Sequence, residues 1–476
     1  MKLSDLVIFN PKRPLKKGES AAFVEMAALP ENGRDINRVD EKIFTGGGSK
    51  FANKDTLFAR ITPCLENGKT SLVSGLSDGE VAFGSTEFIV LAAKEPEYDS
   101  DYIYYLSRLG EFRSFARSRM EGTSGRQRVA WQSLADYEYD FPDKRLRKFA
   151  GDVLKKFDDK ILLNHQINQT LEQMAQALFK SWFVDFEPVK AKITALEAGG
   201  SQEDAMLAAM TAISGKDADA LAVFEREHPE QYAELKATAG LFPSAMQESE
   251  LGDIPEGWKF QPFGELLSHT IGGDWGKDES DDKHKMPVRI IRGTDIPNIK
   301  SCQDSNVPFR YVEEKKLKTR SLNAGDIVIE VSGGSPTQPT GRSIYVTDEI
   351  LKRLSLPVEP ASFCRLFRPK SMELGMVLGL YLEKIYQDGK MWLYQNQSTG
   401  ISNFQTKVFL ENEIVAVAPS EILKAFYKIS LPYVKLMRSS ENIKLAQLRD
   451  ALLPKLLSGE ITLPEAEQAV SEAENV

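Results

Sequence analysis

Cysteine is scarce in this chain. Cys64, Cys302 and Cys364 stand far apart and form no CxxC, and four scattered histidines (His165, His228, His269, His284) offer no HxxxH or Cys/His ligand spacing. That excludes a disulfide framework and a zinc-finger type of site, and it points to a reducing compartment and no bound metal. Long apolar runs are also lacking. None approaches the roughly 20 residues that span a bilayer, and the opening MKLSDLVIFNPKRPLKKGES has no apolar core of signal-peptide length. The expectation is a cytoplasmic protein that meets no membrane.

Catalytic signatures are absent too. No HExxH, GxSxG or kinase set occurs, nor the Gly-rich turn with an Asn/Asp-Pro-Pro-aromatic tetrapeptide that methyl transfer needs. The loop GGSPTQPTGRS (333–343) has the look of a phosphate cradle, but six residues rather than four separate Gly334 from Gly341, and Arg342 stands where lysine must reach the phosphates. Asp326 and Glu330 lie close in sequence without the following lysine of a metal-dependent nuclease, and read as a turn residue and a strand residue. The reading is a non-enzyme that takes no cofactor.

What is present is a chain of 476 residues with 42% hydrophobic content, enough for two or three globular cores. Its net charge of −9 is unevenly spread. Residues 190–250 and their flank to 256 hold five basic against thirteen acidic side chains, and 460–476 hold five glutamates and no base. The remainder is net positive, and residues 108–128 (RLGEFRSFARSRMEGTSGRQR) carry six arginines against two glutamates.

The chain also repeats itself with a period of about 270 residues. AFVEMAALP from Ala22 matches RIIRGTDIP from Arg289, KDTLFARITPCLENGKTSLV from Lys54 matches GDIVIEVSGGSPTQPTGRSIYV from Gly325, and TSGRQRVAWQSLADYEYDFP from Thr123 matches TGISNFQTKVFLENEIVAVAP from Thr399. The order is preserved throughout. The expected fold class is α+β: two pseudo-repeated mixed α/β domains, residues 1–142 and 251–419, separated by two long antiparallel, coiled-coil-like helical regions, 143–189 and 420–476, the latter with an acidic tail. Residues 190–250 read as an acidic insertion or linker with short helices.

The helical regions repeat as well, with Asn168, Leu171, Met174 and Leu178 over Asn442, Leu445, Leu448 and Leu452. In the first, Leu154, Phe157, Ile161, Asn164, Ile167, Leu171, Met174, Leu178 and Trp182 step by three or four, the spacing of a helical seam. In the second, Pro432 and Pro454 predict kinks or ends. The apolar residues that close each copy, Phe179, Trp182 and Phe183 in one and Leu453, Leu456 and Leu457 in the other, are open to two readings, a partner surface or burial against the chain's own domains.

Matched polar loops in both halves carry the side chains that read nucleic acid. Arg and Lys suit guanine edges, Asn and Gln suit adenine, and hydroxyls and Lys fix phosphates. The candidates are Arg60, Lys69, Thr70, Thr123, Ser124, Arg126, Gln127 and Arg128 in the first domain, and Arg289, Arg292, Arg342, Ser343, Asn403, Gln405 and Lys407 in the second.

Three stretches, LEQMAQALFKSWF from Leu171, ELGDIPEGW from Glu250 and LRDALLPKLLSGEI from Leu448, give the chain a specific resemblance. Over nearly its whole length it resembles the DNA specificity subunit of type I restriction-modification systems. The resemblance implies two target-recognition domains, each reading one half of a split asymmetric site in double-stranded DNA. It also implies conserved spacer helices on which two methyltransferase subunits dock, with motor-nuclease subunits in the full complex. Base contacts vary with target in that family, so it assigns none here. An assembly scaffold without sequence-specific binding and a DNA-modifying enzyme remain the alternatives.

If the helices act as a ruler, their length should be written in the DNA site. Half-sites on one face of B-DNA repeat about every 34 Å. Inserting four residues between Gln166 and Asn168 adds about 6 Å of helix and keeps the apolar face in phase. The gap between half-sites in the methylated sequence is expected to grow by about one or two base pairs, while a two-residue insertion, turning that face by about 200°, abolishes assembly. An unchanged gap in an active four-residue variant would move the ruler elsewhere.

Overall fold

TLFA at Thr56–Ala59 and FIVLAA at Phe88–Ala93 are continuous short apolar runs, the pattern of strands covered on both faces. In the computed structural model, which describes residues 1–461 except 124, 305, 336, 399 and 400, both are buried central strands. The chain divides into two units, one of Met1–Asn164 joined by the segment from Lys444 onward, the other His165–Ile443.

The first unit begins with β1 (Val7–Phe9), β2 (Ser20–Val24), β3 (Asp40–Ile43), β4 (Ser49–Phe51), β5 (Thr56–Ala59), β6 (Thr70–Leu72), β7 (Ala82–Gly84) and β8 (Phe88–Ala93). Then come α1 (Pro96–Arg108), α2 (Gly110–Ser118), the ribbon strands β9 (Met120–Glu121) and β10 (Arg128–Val129), and α3 (Trp131–Ala135). One sheet has the order β1-β8-β5-β6 and a second the order β3-β2-β7-β4, with β2 and β7 parallel. Alternation along the central strands decides the layers. Phe58, Ile89 and Leu91 pack with Tyr102, Ile103 and Phe112 of α1 and α2, while Leu57, Phe88 and Val90 pack with Val24, Phe51 and Ala82 of the second sheet.

α4 (Lys144–Phe183) is one helix of 40 residues, about 60 Å long, and the Asp143 carboxylate caps it by accepting from Arg145 N–H at 2.8 Å. Within the first unit its opening turns run antiparallel to Glu441–Leu457. Asp158 pairs with Arg449, the Tyr102 hydroxyl donates to Leu457 O at 2.8 Å, and Leu456 and Leu457 join Ala150 and Leu154 in the core.

The second unit takes the rest of α4 and continues through α5 (Glu187–Glu197), α6 (Gln202–Ser214), α7 (Ala218–Glu227) and α8 (Pro229–Gly240). Its strands begin with the hairpin β11 (Met246–Gln247) and β12 (Ile254–Pro255), then β13 (Lys259–Pro262), β14 (Leu267–Gly272) and β15 (His284–Ile291). Next come α9 (Ile296–Lys300), β16 (Phe309–Glu313), α10 (Glu314–Arg320), β17 (Ile327–Glu330), β18 (Ser332–Gly334), β19 (Ser343–Tyr345) and α11 (Asp348–Leu354). After β20 (Val358–Pro360), β21 (Cys364–Pro369) and α12 (Met372–Gln387) come the ribbon strands β22 (Gln395–Ser398) and β23 (Ile401–Phe404), α13 (Thr406–Asn412), β24 (Ile414–Val417), α14 (Ser420–Met437) and α15 (Glu441–Leu457).

The repeat is structural. The order β14-β21-β17-β19 reproduces β1-β8-β5-β6, and β16-β15-β20, with β15 and β20 parallel, reproduces β3-β2-β7. The same division of faces recurs, with Ile327, Ile329 and Phe367 against α12 and Val328 and Leu366 on the other side. Here too α4 has an antiparallel helical partner: Trp182 and Phe183 meet Phe426 of α14 edge to face, with ring centroids 5.6 and 4.9 Å apart, and Glu172 and Ala175 face Val434 and Arg438 across a small cavity.

Three expectations need correction. Ile167 and Met174, placed on the seam, are 38% and 46% exposed, and the buried face passes instead through Leu171, Ala175, Phe179 and Trp182. Pro432 and Pro454 lie inside their helices, and the second helical region breaks at 438–440. There the Arg438 carbonyl accepts from Arg353 Nη1 at 2.5 Å and its guanidinium donates to Lys300 O at 2.7 Å, so tertiary partners end the helix. Residues 190–250 are more than a linker: α6, α7 and α8 bury Ala209, Met210, Leu221 and Ala239 in a core of their own, and Lys192 Nζ ties α5 to Phe242 O at 2.6 Å.

The second unit contains one costly group. Glu359 on β20 is fully buried, and neither carboxylate oxygen has a hydrogen-bond partner among the described residues. Burial, then the negative charge of Asp274, pushes its carboxyl up to about 7 from 4.5. The penalty is therefore absent below pH 4.5, grows as pH rises, and is complete above about 7. Glu359→Gln is expected to raise stability by roughly 3 kcal/mol at pH 8 and hardly at all at pH 4.5. Equal gains at both values in urea unfolding would reject this titration.

Candidate nucleic-acid interface

In the first unit the chain leaves β5 along the ribbon. Arg60 N–H donates to Glu87 O at 3.0 Å, and Arg60 O accepts from Val129 N–H at 3.0 Å. Thr62 and Gln127 then bond twice, Thr62 N–H to Gln127 O and Gln127 N–H to Thr62 Oγ1, each at 3.0 Å. The turn beyond needs glycine. Gly122 has φ +125°, where a side chain is strained, and a Cβ there would lie 3.1 Å from Arg126 O. Thr123 and Arg126 project from this turn into solvent; Ser124 lies outside the described residues.

Arg128, at the root of the ribbon, is gripped by Glu87. Its Nε lies 3.0 Å from both carboxylate oxygens and its Nη2 2.7 Å from one, while Nη1 donates to Arg126 O at 3.2 Å. Around it lies the arginine-rich α2. Arg119 stacks over Phe115 at 5.2 Å, and the buried guanidinium of Arg113, which donates to Leu65 O, is pushed down to about 10 by desolvation and by the charges of Arg108 and Arg117. Six arginines on 108–128 therefore make a strongly cationic edge.

The other first-domain candidates are occupied. Lys69 Nζ donates to Met26 O at 3.1 Å, and Thr70, 1% exposed within β6, cannot touch a phosphate from the folded state. Arg60 is half-buried.

In the second unit the chain leaves β17 along another ribbon. Val331 N–H donates to Phe363 O and Val331 O accepts from Phe404 N–H, both at 2.9 Å, and Ser332 Oγ donates to Asn403 Oδ1 at 2.7 Å. Gln405 Nε2 crosses to Gln395 O at 3.2 Å. Asn403 and Gln405 thus share one ribbon, and Lys407, its side chain 87% exposed, follows in α13.

The remaining second-domain candidates have partners within the chain. Arg342 forms a bidentate pair with Glu330 at 2.8 and 2.5 Å, Arg292 one with Asp295 at 2.9 and 2.7 Å, and Arg289 donates to Val307 O at 2.8 Å. Ser343 is buried in β19. Cys364 is inert as a nucleophile, because burial, then the Glu330 charge, pushes its thiol up to about 12. Among the aromatic and leucine residues, Phe179, Trp182 and Phe183 sit in the main core of the second unit with Phe242, Trp258 and Phe426. Leu456 and Leu457 are core residues of the first unit and Leu453 packs against them. The chain itself covers this face.

Sequence reading missed Glu87 and Phe363, the residues whose carbonyls hold the two ribbons. Each immediately precedes a central strand, and aligning FIVLAA with CRLFRP would have brought them together.

No family model matches the chain. It is 31% identical over 448 residues to the type I restriction enzyme HindI specificity subunit of Haemophilus influenzae, covering 88% of this chain and 89% of that one. The chain belongs to the type I restriction enzyme specificity subunits. The MjaIX specificity subunit of Methanocaldococcus jannaschii is 23% identical across 77% of this chain and 70% of its own, and the EcoEI specificity subunit of Escherichia coli is 25% identical across 74% and 65%. A solved S subunit of a type I system from M. genitalium matches 96% of this chain and 95% of its own at 14% identity and a TM-score of 0.45. No helix among the described residues of this specificity subunit is long and apolar enough to cross a membrane.

Arg126 gives the cationic edge a direct test. It is exposed, and no carboxylate among the described residues pairs with it. In the assembled complex Arg126→Ala is expected to weaken binding to all DNA sequences and to lower the slope of log K against log salt by about one. An unchanged slope would return Arg126 to the ordinary surface.

Proposed function

We propose that this specificity subunit is the non-catalytic DNA-reading member of a type I restriction-modification complex, in which each repeated domain reads one half of a split asymmetric site. It works with two methyltransferase subunits, and with motor-nuclease subunits in the restriction complex. One observation supports this above the others: two sheets of the same strand order each carry a short β-ribbon at the exit of the same central strand, the β9-β10 pair beside β5 in one copy and the β22-β23 pair, extended by β18, beside β17 in the other. A two-stranded hairpin such as β9-β10 or β22-β23 fits the major groove, where every base pair presents a distinct pattern. Two copies with different side chains suit a site whose halves differ.

Chemistry is left to the partners on this reading, and Glu87 and Glu330, at the strand ends that carry the ribbons, are held in arginine pairs.

The test is a domain exchange. Replacing residues 1–142 with the corresponding domain of another specificity subunit should change one half of the methylated sequence, read by methylome sequencing, and leave the other intact. Change in both halves would sink the modular reading. Normal assembly without sequence preference would favour a pure scaffold, and methylation or cleavage by the isolated chain would favour an enzyme.

A further inference from the structure

The two ribbon anchors can be matched atom by atom. Arg60 and Val331 occupy one position, since each donates its N–H to the residue before a central strand and accepts at its carbonyl from the ribbon. Glu87 therefore matches Phe363. Ile61 bridges to Arg128 as Ser332 pairs with Asn403, so Arg128 matches Asn403. The backbone frame is the same in both units and the side chains on it are chemically different.

Resting on the DNA-reading function above, we infer that Arg128 and Asn403 are the matched base-reading residues, Arg128 taking a guanine in the first domain's half-site and Asn403 an adenine in the second's, with Phe363 against a thymine methyl.

Donor arithmetic supports Arg128. A guanidinium has five N–H donors; Glu87 engages Nε–H and one on Nη2, and the Arg126 carbonyl takes one on Nη1, which leaves two, the number that guanine O6 and N7 accept. The grip of Glu87 fixes the fork in place, and the side chain is still 41% exposed. Asn403 is held in the same manner by a different group. Ser332 Oγ donates to Oδ1, which keeps a second lone pair for adenine N6–H, and Nδ2 serves N7.

The surroundings agree with the assignment. Around Arg128 the ribbon and α2 are arginine-rich, whereas residues 391–406 contain no charged side chain, and Asn396 pairs with Asn403 across the ribbon. Phe363, whose carbonyl holds the ribbon through Val331, is 66% exposed. An apolar group is what reads the methyl of thymine.

The experiment is methylome sequencing of cells producing the chain with its methyltransferase partner. The unaltered complex should yield a split motif with a specified G·C pair in one half and a specified A·T pair in the other. Arg128→Lys, which keeps the charge and loses the fork, should reduce preference at one G·C pair of the first half roughly tenfold to a hundredfold. Asn403→Ala should relax one A·T pair of the second half, each variant leaving the opposite half as it was. Retention of the full motif by both variants overturns the assignment while the DNA-reading function stands; so does relaxation at the wrong base. A natural motif lacking a G·C pair in the first half or an A·T pair in the second overturns it even if a variant fails to assemble. Methylation by the unaltered complex without any sequence preference would instead defeat the function on which the inference rests.

Discussion

A buried ion pair between Asp158 of α4 and Arg449 of α15 closes the first unit, with the Tyr105 hydroxyl donating to the same carboxylate at 2.6 Å. Both charged side chains are more than 90% removed from solvent. A charge buried this way is tolerated only when paired, and removing one partner of such a pair typically costs about 3–5 kcal/mol. The N-terminal domain is therefore complete only once the C-terminal helix has returned to it. The second unit lies in sequence inside that closure. Its own partly analogous cluster, Glu383 with Lys300 and Gln176, binds α4 to α12 and α9. One helix thus contributes buried polar contacts to both units, and loop-closure entropy must be overcome before the first unit is stable.

The ribbons owe their placement to a different kind of interaction. Main-chain hydrogen bonds at 2.9–3.0 Å attach each to the exit of a central strand. These bonds are indifferent to side-chain identity, so Arg60, Glu87 and Arg128 can be exchanged for Val331, Phe363 and Asn403 without moving the frame. The core beneath is constrained differently, because Phe58 and Ile329 must fill space between layers. A scaffold that fixes position through the backbone and leaves chemistry to exposed side chains can change what it reads without refolding.

That separation also explains how far the sequence could be read. The repeat was legible because its strands are buried on both faces and must stay apolar, and α4 because its period persists over 40 residues. The seam was misplaced where Ile167 and Met174 keep the helical period but not the burial, a distinction periodicity cannot make. Phe179, Trp182 and Phe183 are as apolar as any partner surface would need, and only the fold shows that Trp258 and Phe426 cover them. Among the polar candidates, Thr70 and Ser343 lie in strands buried on both faces, and Arg292 and Arg342 have acidic partners three and twelve residues away on their forks. Loop composition reveals donors; it does not reveal which are already engaged.

The same accounting distinguishes the two ribbons. In the second, Arg292, Arg342, Arg353 and Arg368 are each matched by a carboxylate within 2.7 Å, and its ribbon is uncharged. In the first, Arg13, Arg34 and Arg128 are matched likewise, Arg119 and Arg126 have no such partner among the described residues, and Arg113 is pushed down by desolvation, then by the charges of Arg108 and Arg117. On the DNA-reading proposal, salt-dependent phosphate attraction at the first ribbon rests on Arg119 and Arg126, because released counterions scale with unneutralised cations. Discrimination in the second rests on neutral amides and exposed apolar surface, whose contribution salt hardly touches. On the proposed assignment, two copies of one fold read their half-sites by different chemistry, a guanidinium fork in the first and a neutral amide in the second.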